Sequence, residues 1–130
     1  MHLSLSALAV TTLLCATGAA NAFGLSFTWD GLAPCTNGRP NTVGSPAFVV
    51  SDLPPGTTEV RFRLVDLDVP GFNHGGGRVG MSTSGQLPAG IFRYKSPCPP
   101  NGVHTYEWRA EARGGGRTLG TATARRRYPE

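Results

Sequence analysis

A chain of 130 residues with 12 Lys and Arg against 8 Asp and Glu, a net charge of +4, is long enough for one small domain with one core, and nothing in it suggests a second. Its 18 glycines and 11 prolines sit between alternating runs, which excludes a low-complexity tract. The positive bias favours anionic partners, but the basic residues are scattered and lack an interleaved aromatic ladder, so no nucleic-acid interface is expected.

The chain opens on Met1 and His2, an apolar run from Leu3 to Leu14, and small residues ending in Ala20-Asn21-Ala22. The run is too short for a membrane-spanning helix, and the small-x-small triplet marks cleavage before Phe23. Residues 1–22 are therefore expected to be a signal peptide and 23–130 the domain. The mature protein would be exported to the periplasm or the exterior, with no stable transmembrane anchor. It would keep two cysteines, Cys35 and Cys98, an even count that in an exported chain predicts a disulfide between them.

Alternation predicts strands over Leu25 to Trp29, Pro46 to Ser51, Glu59 to Asp66, Gly90 to Lys95, Val103 to Arg113 and Arg117 to Ala124, the last two joined by Gly114-Gly115-Gly116 as a hairpin. No segment of the mature chain carries a convincing helical stripe. The expected fold is all-β, a small sandwich or partly open barrel. The tail Arg125-Arg126-Arg127 is expected to be a solvated, frayed terminus.

Two rows of side chains break the apolar pattern. Val60, Phe62 and Leu64 are followed on the same face by Asp66, and Trp108, Ala110 and Ala112 are preceded on theirs by His104 and Tyr106. Polar groups aimed inward cost several kcal/mol, on the order of a lost hydrogen bond or more, unless they are paired or reached by a ligand. Their place at strand ends allows both. One neighbouring stretch, Pro70 to Leu87, is polar and glycine-rich and contains His74; the other is stiffened by Pro97, Pro99 and Pro100 and tied down by Cys98.

These residue types are shared by several chemistries. His74-Gly75-Gly76-Gly77 resembles an esterase oxyanion loop, but the chain has no Gly-x-Ser-x-Gly elbow; the glycines are expected to admit an anion or form a turn. Asp66, Asp68, His74 and His104 are residue types that bind zinc, but their spacing matches no dense metal signature, so neither metal nor cofactor is expected. Ser96, Thr105 and Tyr106 near His104 form no nucleophile elbow, and no enzyme is expected.

Asp66-Leu67-Asp68-Val69-Pro70 resembles the Asp-Pro-Asp-x-Pro motif of the phosphatidylethanolamine-binding protein family, with leucine for the first proline. Pro97-Cys98-Pro99-Pro100-Asn101-Gly102 leading to His104-Thr105-Tyr106 resembles its second motif, a glycine- or proline-rich loop followed by His-Arg-Tyr. Ser45-Pro46 and Leu53-Pro54-Pro55-Gly56-Thr57 are similar to the short bacterial, Raf-kinase-inhibitor-like members. The resemblance spans about Ser45 to Trp108. It implies a β-sandwich of Greek-key character and a small anion pocket for phosphate or a phospholipid head group. At matching positions the pocket would use Asp66, Asp68, Pro97, Cys98, Pro99, His104 and Tyr106, with His74 as the family's other histidine. Within it, an aspartate is expected to orient a histidine and raise its pKa. The alternative is a protein-interaction or enzyme-modulating module with a vestigial pocket.

Overall fold

The computed structural model describes residues 7–11 and 22–130, so the expected leader and its cleavage site lie largely outside the described residues. Nine strands form, β1 (Gly24–Phe27), β2 (Thr42–Gly44), β3 (Phe48–Ser51), β4 (Glu59–Asp66), β5 (Gly76–Gly80), β6 (Gly85–Leu87), β7 (Arg93–Lys95), β8 (His104–Gly114) and β9 (Arg117–Tyr128), and the described residues contain no helix. They make a four-stranded sheet of order β5-β4-β8-β9, a three-stranded sheet of order β1-β3-β6 and a two-stranded sheet β2-β7, all antiparallel. The expected all-β sandwich is what forms. Its central pair, β4 with β8, joins segments distant in sequence, the non-consecutive pairing of a Greek-key sandwich.

The predicted alternation sets the core. Val60, Phe62 and Leu64 from β4 and Tyr106, Trp108, Ala110 and Ala112 from β8 are buried on the inner face of the large sheet. Phe48 of β3 stacks on Phe62 at 4.7 Å and meets Trp108 edge-on at 5.2 Å, while Tyr94 of β7 meets Trp108 at 4.9 Å. These aromatic contacts hold the smaller sheets against the large one. Ala110 faces Ala122 across β8 and β9, and the small side chains leave room for the rings.

Three strands were not predicted, and β5 shows why. Its sequence, GGRVG, has almost no strand-forming residues, yet a Cβ on Gly76 would lie 1.7 Å from the Phe62 carbonyl oxygen. Glycine is what lets β5 lie against β4 there. In the His74-Gly75-Gly76-Gly77 run, Gly75 makes the expected turn at φ 75°, and Gly76 and Gly77 open a strand that was not expected.

The arginine tail is also corrected. Strand β9 runs through it to Tyr128, and the terminus is pinned, not frayed. Arg125 Nε donates to Glu107 at 2.9 Å, Arg126 Nε donates to the Phe27 carbonyl at 2.6 Å, and Trp29 Nε1 donates to the Arg127 carbonyl at 2.9 Å. Tyr128 packs edge-on to Trp29, and its hydroxyl accepts the Cys35 amide at 2.8 Å.

Cys35 and Cys98 form the expected disulfide, across 63 residues of sequence. It fastens the loop before β2 to the proline loop before β8. Gly38 N donates to the Cys98 carbonyl beside it at 3.1 Å.

Candidate functional site

Asp66 is the last residue of β4 and lies opposite Tyr106 of β8, so the inward row ends in a carboxylate next to a phenol. The chain turns immediately. Asp66 Oδ1 accepts the amides of Asp68 at 2.9 Å and Val69 at 3.2 Å, the local turn that an aspartate is suited to hold. Asp66 Oδ2 accepts from His104 Nδ1 at 2.6 Å. Asp68 Oδ2 accepts the Thr105 amide at 2.7 Å, and Leu67 N donates to the Thr105 carbonyl at 2.8 Å, which clamps the turn onto the start of β8. The two carboxylates thus fix one turn, one strand and one imidazole.

His74 arrives from the loop before β5 and is buried. Its Nδ1 lies 2.7 Å from the Lys95 carbonyl, which can only accept, so Nδ1 carries the proton. Its own carbonyl accepts the Lys95 amide at 2.8 Å, which locks the loop to β7. Burial pushes the His74 pKa below 6.5, although the Lys95 carbonyl and the Asp66 charge pull the other way. The Asp66 charge acts in the expected direction on the histidine, but desolvation outweighs it at His74. The Phe72 ring flanks the imidazole at 4.6 Å and Tyr106 at 5.6 Å.

These groups converge on one cavity of about 150 Å³. Asp66, His74, His104 and Tyr106 line it together with Cys98, Pro99 and Pro100 of the proline loop. Gly38, Pro40, Val69 and Phe72 complete the wall. Burial, then the Asp66 charge, pushes the Tyr106 hydroxyl above the ordinary phenol value, so it remains a protonated donor. A larger groove of about 540 Å³ elsewhere on the surface is lined by Ser26, Thr28 and Gln86 and by a single titratable side chain, Arg126, whose Nε donates to the Phe27 carbonyl.

Of the residues expected at the site, Asp68 and Pro97 do not line the cavity. Asp68 is exposed and spends its carboxylate on Thr105, and Pro97 is fully buried beneath the loop. The wall residues that sequence reasoning missed come from two places. Gly38 and Pro40 are delivered by the disulfide, and the Cys35–Cys98 pairing was the available signal for them. Val69 and Phe72 sit in the turn after Asp66, where an aromatic two residues before His74 was a usable cue.

Asp66, Asp68 and His104 offer ligand atoms within 4.8 Å of one another; His74, the fourth candidate metal ligand, is not part of that cluster. The cluster suits a cation poorly, because His104 Nδ1 already donates to Asp66 Oδ2 and Asp68 Oδ2 already accepts the Thr105 amide.

A crystal structure described as a putative phosphatidylethanolamine-binding protein homologue from Chlamydia trachomatis superposes on this chain with a TM-score of 0.61 at 22% sequence identity, covering 85% of this chain and 99% of that one. The fold is that of a phosphatidylethanolamine-binding protein homologue. No protein family and no curated protein matches the sequence. In this PEBP-like fold the Asp66 turn and the proline loop meet at the same end of the β4–β8 pair, where the cavity opens. Among the described residues, no helix is long and apolar enough to cross a membrane.

Proposed function

We propose that the protein is an exported binding protein, not an enzyme, whose cavity holds a small phosphate-like anion, free or as a phospholipid head group. The observation that carries this is the 2.6 Å contact of His104 Nδ1 with Asp66 at the wall of a cavity also lined by His74 and Tyr106. With Nδ1 committed to Asp66, the ring nitrogen of His104 left for a ligand is Nε2. The Tyr106 hydroxyl, which otherwise donates to Asp66, turns its proton to the ligand as a second donor. Asp66 does not repel an anion as a free carboxylate would, because two amides and an imidazole share its charge. His74, neutral by burial, accepts at Nε2 and so matches a protonated oxygen of the ligand, or takes a proton itself as the anion enters.

Catalysis finds no support in the nucleophiles at hand. Cys98 is in the disulfide, Ser96 is fully buried with its Oγ accepting the Asn41 amide at 3.0 Å, and the Tyr106 hydroxyl is held protonated. The leader-like N-terminus and the disulfide support export. A second role, docking of a protein partner over the cavity, is favoured by the exposed apolar side chains of Val69 and Phe72 at its wall.

Titration calorimetry with phosphate and phosphoethanolamine from pH 5 to 8 tests the anion pocket. Saturable heat that disappears in His104→Ala is expected; no heat at any pH in that range would exclude the pocket as an anion site.

A further inference from the structure

The outer face of the four-stranded sheet has an arrangement that folding alone does not favour. Arg61 of β4 lies directly opposite Arg78 of β5, and Arg63 of β4 directly opposite Arg109 of β8. Like charges facing each other across strands destabilise a sheet. The same face continues through Arg113 and on to β9, where Arg125 is opposite Glu107 and Arg127 opposite Thr105. Some of this charge is compensated. Arg61 pairs with Glu59, Arg113 with Glu111, and Arg109 and Arg125 both hold the buried carboxylate of Glu107. Arg63, Arg78 and Arg127 have no carboxylate within ion-pair distance among the described residues.

Between two of these rows a groove of about 470 Å³ crosses β4, β8 and β9. Arg61, Arg63 and Arg109 wall it on two strands together with Glu111, whose carboxylate is held by Arg113 and Thr118, and Thr121 and Thr123 of β9 wall it on the third. It spans about 10 Å across the strands, two strand spacings. We propose that this face binds an anionic polysaccharide, with guanidinium groups on its carboxylate or sulfate groups and threonine hydroxyls on its sugar hydroxyls.

The chemistry of the face selects against other polyanions. The one aromatic residue at the groove, Phe62, is buried with its ring stacked on Phe48 in the core, so no ring is exposed for stacking nucleobases. None of the exposed large apolar side chains of the folded domain, Val49, Val69, Phe72 and Val103, lines this groove, so it offers no apolar wedge to a bilayer and no apolar anchor for a protein interface. What remains is fixed cations, each a planar fork suited to oxyanions, beside small hydroxyls in a linear groove. This face is separate from the cavity, and the inference is independent of the anion pocket.

The test is binding of the purified protein to size-fractionated polygalacturonate, followed by calorimetry at low and raised salt, with neutral dextran as the uncharged control. Saturable binding that weakens with salt is expected, with none to dextran. The double variant Arg63→Gln with Arg78→Gln should bind about tenfold or more weakly, while its thermal midpoint stays the same or rises because two like-charge oppositions are gone. The variant Arg39→Gln with Arg93→Gln, which removes equal charge off this face, should bind within about twofold of the parent. Equal losses in both double variants would overturn the proposal, as would tighter binding to poly-glutamate, to a single-stranded oligonucleotide or to anionic phospholipid vesicles than to polygalacturonate.

Discussion

The imidazole of His104 is fixed by the carboxylate of Asp66, with Nδ1 donating to Oδ2 at 2.6 Å across the ends of β8 and β4. Because the other carboxylate oxygen holds the Asp68 and Val69 amides, one side chain sets both the turn and the ring.

Asp66→Asn separates these two roles. Its amide oxygen can still accept the turn amides, whereas its NH₂ would face the His104 N–H and displace the ring. The expected outcome is a folded protein destabilised by about 1–2 kcal/mol, with phosphate affinity reduced tenfold or more, on the order of one lost charge-assisted hydrogen bond. Denaturant unfolding and calorimetry on the same preparation check it. Retained affinity would show that the Asp66–His104 contact does not serve the ligand.

His74 predicts an acid-sensitive stability. Its folded pKa is below 6.5 because burial disfavours the charged ring, so the unfolded chain binds its proton first as pH falls. The stability due to the neutral buried ring is present above 6.5 and declines through the window between that value and the lowered folded one. His74→Asn, which retains a donor for the Lys95 carbonyl, should lose about 1 kcal/mol at neutral pH and flatten the decline in unfolding midpoint below pH 6.5. An unchanged slope would mean that the decline originates elsewhere.

Glu107 predicts a second, lower limb. Burial by itself would raise its pKa, but the hydrogen bonds from Arg109 and Arg125 outweigh burial and lower it from 4.5. Its contribution is therefore present above 4.5 and lost as pH falls through the lowered value. Glu107→Gln is expected to cost about 1–2 kcal/mol at neutral pH, less than a fully buried pair because both arginines are largely exposed. Denaturant midpoints at pH 7 and pH 3 should differ less in the variant than in the parent.

The disulfide should matter to stability and to the cavity together. Closing a loop of 63 residues constrains the unfolded chain by about 4 kcal/mol in the chain-entropy model. Cys35→Ser with Cys98→Ser should lower stability by a large part of that and loosen Gly38 and Pro40 from the cavity wall. Weaker phosphate binding at a temperature where the variant remains folded is the expected accompaniment.

Alternation along the chain determined the long strands and their inward faces, because side-chain direction in an extended strand is fixed by sequence parity. Glu59–Asp66 forms with the predicted bounds, and Asp66, His104 and Tyr106 follow directly from the parity of their neighbours. The cysteine count likewise yielded the disulfide. Tertiary structure alone decided what parity cannot express. Gly76 and Gly77 lie in a strand because only a residue without Cβ can approach Phe62 and Phe92 so closely, a requirement that exists only once β5 lies on β4. The arginine tail became a pinned strand through partners from 18 to 99 residues away, Glu107, Trp29 and Phe27. Burial of His74, which sets its proton affinity, is completed by Tyr106 packing edge-on from β8, and long-range packing of that kind leaves no periodic trace in a sequence.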